Sequence, residues 1–363
     1  MQHETLVIDG AYGEGGGQIL RTGLALAALL ERSVRFTRIR AGRRRPGLAA
    51  QHLTAVRAAA ALCAAALDGD ALNSHELLFV PRRRVSAGHY AFDVADARQG
   101  GSAGGTSLVL QTILLPLALA VGRSDVLLQG GTHLTQSPPF DYVRDVWLPA
   151  LRRLGIRASV AMDAWGWYPI GRGAIRAEIA GAPPQAGGLV PLQLQAPGPL
   201  LRITGRAVAA NLPEHIPRRM AERAAALFTS LGTNVDTCVE CVHAACPGAG
   251  IFVVAEYQHA RAGFSALGAR GKPSELVAEE AAEALLRHHA SGAAVDRHLA
   301  DQLLLPLSLA AGPSCLTVEQ VTRHLETNAW VIQQFGAAKI EVQRMTSGTA
   351  DVVVTPQAHR FPT

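Results

Sequence analysis

The densest chemistry in the chain lies near its start. There Asp9-Gly-Ala-Tyr-Gly-Glu14-Gly-Gly-Gly-Gln18-Ile-Leu-Arg21 is followed by Ile39-Arg40-Ala-Gly-Arg43-Arg44-Arg45-Pro46-Gly47. Glycines let a backbone approach a ligand closely, a lone carboxylate (Glu14) stands among them, and arginines follow within a short span. That combination suits a metal ion and phosphates. Taken alone, a Gly-rich turn between an apolar strand (Thr5 to Ile8) and an apolar-periodic helix (Ile19 to Leu30) is equally a connector, and an arginine run is equally a solvated face. Arg21 tips the balance: it falls one turn into the apolar helix, where a charge is costly unless a carboxylate or a ligand pairs with it.

Arg40, Arg43, Arg44 and Arg45 sit where a strand ends and a Pro-Gly turn leads to a helix carrying Gln51, His52 and Arg57. Orphan N–H groups and the positive end of the helix dipole add to the guanidinium cluster and make an anion site. Gln51 and His52 by themselves read equally as capping or partly buried polar groups. Lysine usage narrows the mechanism further. The only lysines are Lys272 and Lys339; neither precedes an Asp-Gly, and Gly271-Lys272 runs into Pro273 rather than Ser or Thr, so no P-loop is present. A covalent phosphate carrier must therefore be another side chain, and histidine is the remaining one of adequate reactivity near neutral pH. His324, in Thr322-Arg-His-Leu-Glu-Thr-Asn328, occupies a position in its helix that matches Gln51 and His52 in theirs.

The elements that must hold these groups form a weak internal repeat. Gln18 to Ala27, Leu108 to Ala120 and Asp301 to Ala310 each place a polar group near the start of a long apolar helix. A short strand follows each (Val34 to Arg40, Val126 to Gln129, Leu316 to Val318), and then a second, amphipathic helix (Leu48 to Leu67, Tyr142 to Leu154, Glu319 to Phe335). Strand, helix, strand, helix, three times over, predicts an α/β (α+β) fold of three αβ units with helices packed on small sheets. The pattern changes after Ala180, where Gly, Pro and Gln accumulate before a separate strand (Leu201 to Val208) and helix (Glu214 to Leu231). The expected division is a large domain of residues 1–191 and 290–363, with a smaller αβ domain, 192–289, inserted before the third unit.

Composition sets the outer limits. A chain of 363 residues with 48% apolar content is globular, and a net charge of +5 with pI near 9.2 favours an anionic partner. The longest apolar run, Leu108 to Val121, is interrupted by Gln111 and Thr112 and is too short to span a bilayer, so a soluble cytoplasmic protein with no membrane partner is expected. Five cysteines make no disulfide framework for a chain this long. Cys238, Cys241 and Cys246, with His243 between them, could ligate zinc, but they lack the usual second half-site.

Read in order, the motifs resemble the RNA 3′-terminal phosphate cyclases. They are Glu14-Gly-Gly-Gly-Gln-Ile-Leu-Arg21, Ile39-Arg-Ala-Gly-Arg43, Pro46-Gly-Leu, Gln51-His-Leu-Thr-Ala-Val56, Leu108-Val-Leu-Gln-Thr112, Gly130-Gly-Thr132, Tyr168-Pro169, Ala300-Asp-Gln-Leu303 and His324-Leu-Glu-Thr-Asn328. The resemblance covers nearly the whole chain and is weakest from about 192 to 289. It implies an enzyme that takes adenylate from ATP onto a histidine and passes it to an RNA 3′-phosphate, whose neighbouring 2′-hydroxyl expels AMP to leave a 2′,3′-cyclic phosphate.

By motif match, His324 would be the nucleophile and Glu14 the ligand of a divalent cation, Mg2+ or Mn2+. Arg21, Arg40, Arg43, Gln51 and His52 would surround the phosphates. Gln111, Pro138, Tyr142, Asp301 and Gln302 would line the adenylate pocket, with His298 where the family commonly has an aromatic. This chain departs at His133, where the family usually has Asp, at His298, and at Arg172, which interrupts a Gly-rich turn; these bear on nucleotide preference more than on reaction type. A non-catalytic RNA-binding or ribosome-assembly relative is disfavoured by the retention of His324, Glu14, Arg21 and Arg43. An enolpyruvyl transferase of similar repeats is disfavoured by the missing phosphate-binding lysines.

Overall fold

The computed structural model describes residues 4–97, 102–182 and 189–357. The first unit runs β1 (Leu6–Asp9), α1 (Gln18–Leu29), β2 (Val34–Thr37), α2 (Ala50–Cys63), β3 (Ala66–Asp68) and β4 (Leu77–Val80). Its sheet has the order β1-β2-β4-β3, in which β1 and β2 are parallel (Leu6 beside Val34) and the other pairs antiparallel. The second unit repeats that plan with β5 (His89–Asp93), α3 (Thr106–Leu119), β6 (Gly122–Gly130), a helical stretch, β7 (Arg157–Ala164) and β8 (Gly173–Gly181), in the order β5-β6-β8-β7. Its helical stretch comprises α4 (Phe140–Tyr142), a π-turn (Val143–Trp147) and α5 (Leu148–Arg153).

The third unit is split. Its first strand, β9 (Gln193–Leu194), is followed by β10 (Leu200–Ala210), α6 (His215–Phe228), β11 (Asn234–Val242), β12 (Gly248–Tyr257), β13 (Arg261–Leu267) and α7 (Ser274–Ser291). These form a sheet of different order, β11-β10-β12-β13. Only then come α8 (Arg297–Leu307), β14 (Ser314–Val318), α9 (Arg323–Gln334), β15 (Ala338–Arg344) and β16 (Ala350–Pro356). Pairing β9 parallel to β14 restores the order β9-β14-β16-β15. The third unit therefore opens ahead of the inserted stretch, whereas the expected boundary at 192 gave this strand to the insertion. Residues 183–188 of the Gly-, Pro- and Gln-rich segment lie outside the described residues.

Each unit is thus βαβαββ rather than βαβα. The closing strand pair was not read from sequence: in the first unit Ala66–Asp68 is too short to show alternation, whereas in the second Arg157–Ala164 and Gly173–Gly181 are long enough and were overlooked. Two helix limits also differ. The helix expected from Leu48 to Leu67 ends at Cys63, since Ala64 takes a left-handed conformation (φ 47°). The one expected from Glu319 begins at Arg323, because the Thr322 hydroxyl accepts from Leu325 N at 3.1 Å and caps it.

Helix α1 is buried along its whole length and packs against α2, α3 and α9. Helix α3 is buried on every side except at Gln111 and largely apolar, as a helix enclosed by its neighbours must be. This central layer brings the starts of four helices together.

Candidate active site

The turn from β1 into α1 makes contacts that side chains would block. Gly13 has φ +58°, and a Cβ there would stand 2.3 Å from Thr327 Oγ1; a Cβ on Gly17 would stand 2.3 Å from His52 Nε2. The first turn of α1 is thereby pressed against the starts of α2 and α9. Gln51 Oε1 accepts from Gly105 N at 3.1 Å and ties α2 to the start of α3. The N-terminal ends of α1, α2, α3 and α9 so share one neighbourhood, where positive dipole ends converge.

Glu14 is fixed at both main chain and side chain. Its N–H donates to Thr327 Oγ1 at 3.0 Å, one carboxylate oxygen meets the Arg43 guanidinium, and Oε2 lies 2.8 Å from His324 Nε2. That last approach is an ion-pair distance without hydrogen-bond alignment. His324, the second residue of α9, is half-exposed. Burial pushes its imidazole below the ordinary value; Asp301 opposes this, and Arg21 and Arg43 reinforce it.

Arg21 is buried, and desolvation lowers its pKa to about 10 against the opposing charge of Asp301. Its Nη2 donates to Gln18 Oε1 at 2.5 Å while Nε has no partner among the described residues. His52 is buried too. Desolvation first, then Arg40, Arg21 and Arg43, drive it down to about 3, so it is a neutral ring whose Nδ1 has no partner among the described residues. Arg40 spends one donor on Gly47 O at 2.7 Å and holds the Pro-Gly turn.

A cleft beside this cluster is lined by Arg21, Gln111, Trp147, Asp301, Gln302 and Asn328, among others. Gln111 Nε2, Trp147 Nε1 and Gln302 Oε1 face no partner there. Buried polar atoms cost free energy unless hydrogen-bonded, so two donors and an acceptor without partners among the described residues mark this narrow cleft of ≈ 30 Å³ as a place where polar ligand atoms would gain hydrogen bonds. Asp301 is pushed up to about 6, by burial before all else.

The other residues expected at the pocket stand apart from this lining. The Pro138 carbonyl accepts from Ser107 Oγ at 2.7 Å near the start of α3. Tyr142 is buried and donates to Asp296 Oδ1 at 3.0 Å; Asp296 in turn caps α8 by accepting from His298 N and Leu299 N at 2.9 Å. The His298 side chain is exposed in the first turn of α8. His133 is buried elsewhere. Its Nε2 lies 3.0 Å from Asp141 Oδ2, its ring stacks on Trp165 and Trp167, and Asp141 also pairs with Arg206 of β10 at 2.9 Å.

Sequence reasoning missed Trp147, Thr22 and Asn328. Thr22 Oγ1 donates to Asn328 Oδ1 at 2.6 Å and Asn328 Nδ2 to Asp301 O at 2.6 Å, linking α1, α9 and α8 across the cleft. Asn328 closes the His324 motif and Thr22 follows Arg21, so both were findable by helical spacing; Trp147 carried no such signal.

Glu14 is the sole carboxylate in the immediate turn. A hard divalent ion that keeps several waters and binds through one carboxylate plus phosphates would use this carboxylate by displacing Arg43 or His324 from it. Among the described residues no group of three or more His, Cys, Asp or Glu could hold a metal by itself. Cys238 and Cys241 are exposed, and Cys246 is buried against the Trp167 carbonyl. No helix among the described residues is long and apolar enough to cross a membrane.

Compared with known proteins, residues 12–342 match the family model described as RNA 3′-terminal phosphate cyclase. An RNA 3′-terminal phosphate cyclase of Methylococcus capsulatus is 55% identical over 95% of this chain and 94% of its own. Those of Nostoc punctiforme (52%, over 92% of this chain and 95% of its own) and Hyperthermus butylicus (41%, over 90% of each) bear the same description. A solved enolpyruvyl transferase, NikO of Streptomyces tendae, aligns over 99% of this chain and 84% of its own at 13% identity, with a TM-score of 0.20, and bears on neither fold nor chemistry.

Proposed function

Because the chain belongs to the RNA 3′-terminal phosphate cyclase family, we propose that it converts an RNA 3′-phosphate to a 2′,3′-cyclic phosphate at the expense of ATP, through adenylate carried on His324. The observation that carries this reading is the placement of the His324 imidazole. It lies at the start of α9, against Glu14, with burial favouring its neutral, nucleophilic form.

In the first step a His324 ring nitrogen attacks the α-phosphorus of ATP; a P–N bond forms and pyrophosphate departs. Arg21 and Arg43, with the helix N-termini, stabilise the charge that builds on the phosphoryl oxygens. Gln111, Trp147 and Gln302 offer the open donors and acceptor that orient the nucleoside. When bound, a divalent cation held by Glu14 would neutralise the leaving phosphates. In the second step an oxygen of the RNA 3′-phosphate attacks the adenylate phosphorus and the P–N bond breaks, returning a neutral imidazole. In the third, the 2′-oxygen attacks the activated terminal phosphorus and AMP leaves, the 2′-hydroxyl proton passing to solvent. Nucleophile and electrophile are then in one molecule, so this closure needs chiefly positioning.

His133 and His298 are not among the residues lining the cleft, which supports reading these two departures as peripheral to an adenylate bound there. The test is incubation with ATP, magnesium and a 3′-phosphorylated oligoribonucleotide. A phosphatase-resistant end is expected; an end that stays phosphatase-sensitive contradicts the reading.

A further inference from the structure

Beside Glu14 and His324 lies a second, open cleft of ≈ 450 Å³, lined by Tyr12, Gly13, Arg323, Glu326 and Thr327. Its wall comes from one face of α9, since residues 323, 326, 327 and 330 recur at helical spacing. Tyr12 is 43% exposed, and its ring stacks on Trp330 with centroids 4.0 Å apart and planes inclined by 14°. One face of the tyrosine is thus held by the indole, which makes it a rigid plate rather than a mobile side chain. Charge in the cleft is net positive: Glu326 is paired with Arg344 at 2.5 Å, whereas Arg323 has no acidic partner among the described residues. Both walls adjoin the reacting groups. Tyr12 is two residues from Glu14, Arg323 precedes His324, and Thr327 holds the Glu14 main chain at 3.0 Å.

We propose that this cleft receives the end of the RNA strand, with a base from its last two nucleotides stacked on the Tyr12–Trp330 plate and a backbone phosphate on Arg323. The inference rests on the cyclase reading above and names positioning residues for its RNA. An exposed aromatic face beside an unpaired guanidinium is how proteins seat single-stranded nucleic acid irrespective of sequence. Trp330 lies six residues along α9 from His324, about 9 Å of helix axis, a span that one or two nucleotides cover.

The test measures affinity for a fluorescent 3′-phosphorylated oligoribonucleotide without ATP, in wild type, Tyr12→Phe, Tyr12→Leu and Arg323→Gln. Tyr12→Leu should weaken binding by about five- to one-hundred-fold and Tyr12→Phe little. Arg323→Gln should reduce the slope of log affinity against log salt by about 0.7. Removing the base at one of the last two nucleotides should weaken wild type by the same factor as Tyr12→Leu and leave Tyr12→Leu unmoved. An equal loss in both proteins, or Tyr12→Phe as weak as Tyr12→Leu, overturns the proposal. Should Tyr12→Leu not fold, 2-aminopurine at those two positions serves in wild type: quenching at one supports the plate, and unquenched emission at both contradicts it. Adenylation of wild type in the same preparation keeps the two readings apart. A wild type that takes no adenylate brings down the cyclase reading, whereas normal adenylation without base-dependent coupling brings down only the plate.

Discussion

Glu14 Oε2 and His324 Nε2, from opposite ends of the chain, meet at 2.8 Å, while the other Glu14 oxygen is taken by Arg43. In the proposed reaction this carboxylate would hold its charge beside the imidazole and toward the triphosphate. Glu14→Gln keeps the shape and loses the charge. Its adenylation should fall by about a hundredfold, with the metal concentration for half-maximal rate raised. A rate that falls without any change in metal dependence would show that Glu14 only orients His324.

Arg43 is expected to act through its planar fork. Arg43→Lys retains charge but not two parallel donors, so single-turnover cyclisation should slow by about ten- to a hundredfold. Full activity in Arg43→Lys, or in Arg43→Ala on a pre-adenylated oligonucleotide, would mark the cluster as a solvated face.

Adenylation should fail in acid. The burial-lowered His324 must be neutral to attack, so the rate rises with pH through a limb below the ordinary imidazole value of about 6.5. Asp301, raised to about 6, titrates in the same range, and the limb belongs to the pair. Asp301→Asn removes the charge that favours imidazolium and should move the limb to lower pH. A pH–rate profile with the limb unmoved or raised would refute this coupling.

Trp147 tests the cleft. Trp147→Phe removes one neutral donor, and the KM for ATP should rise by about three- to tenfold with RNA affinity unchanged. An unaltered KM would leave the open Nε1 without a ligand role.

His133 belongs to a structural network. Burial works against the Asp141 charge, yet hydrogen bonds and charge from His133 and Arg206 hold it down to about 2. Because the folded value is depressed, this stability is present above the ordinary carboxylate value and is lost as pH falls toward 2. Arg206→Met should cost about 3 kcal/mol in urea unfolding at neutral pH, and less in strong acid. An equal cost at both pH values would contradict the assignment.

How far the sequence disclosed this site depends on the kind of residue. Glu14, Arg21 and Arg43 were legible because a carboxylate among glycines and a charge inside an apolar helix break local rules. His324 was legible through its place in a repeat. The closing strand pairs were overlooked although those of the second and third units run seven to nine residues and Arg157–Ala164 alternates throughout; the third unit's first strand was hidden because Gln193–Leu194 spans only two residues. His133 was read toward the nucleotide from its motif. Its surroundings, Trp165, Trp167 and Arg206, come from other elements, and no local pattern could place them beside it.

The central claim is that His324 carries adenylate, and the direct measurement is covalent label from ATP bearing a labelled α-phosphate, in wild type and His324→Asn. Wild type should retain label that survives base and is released by acid, as a phosphoramidate is, and His324→Asn of unchanged circular dichroism should retain none. Undiminished label in His324→Asn would contradict the account.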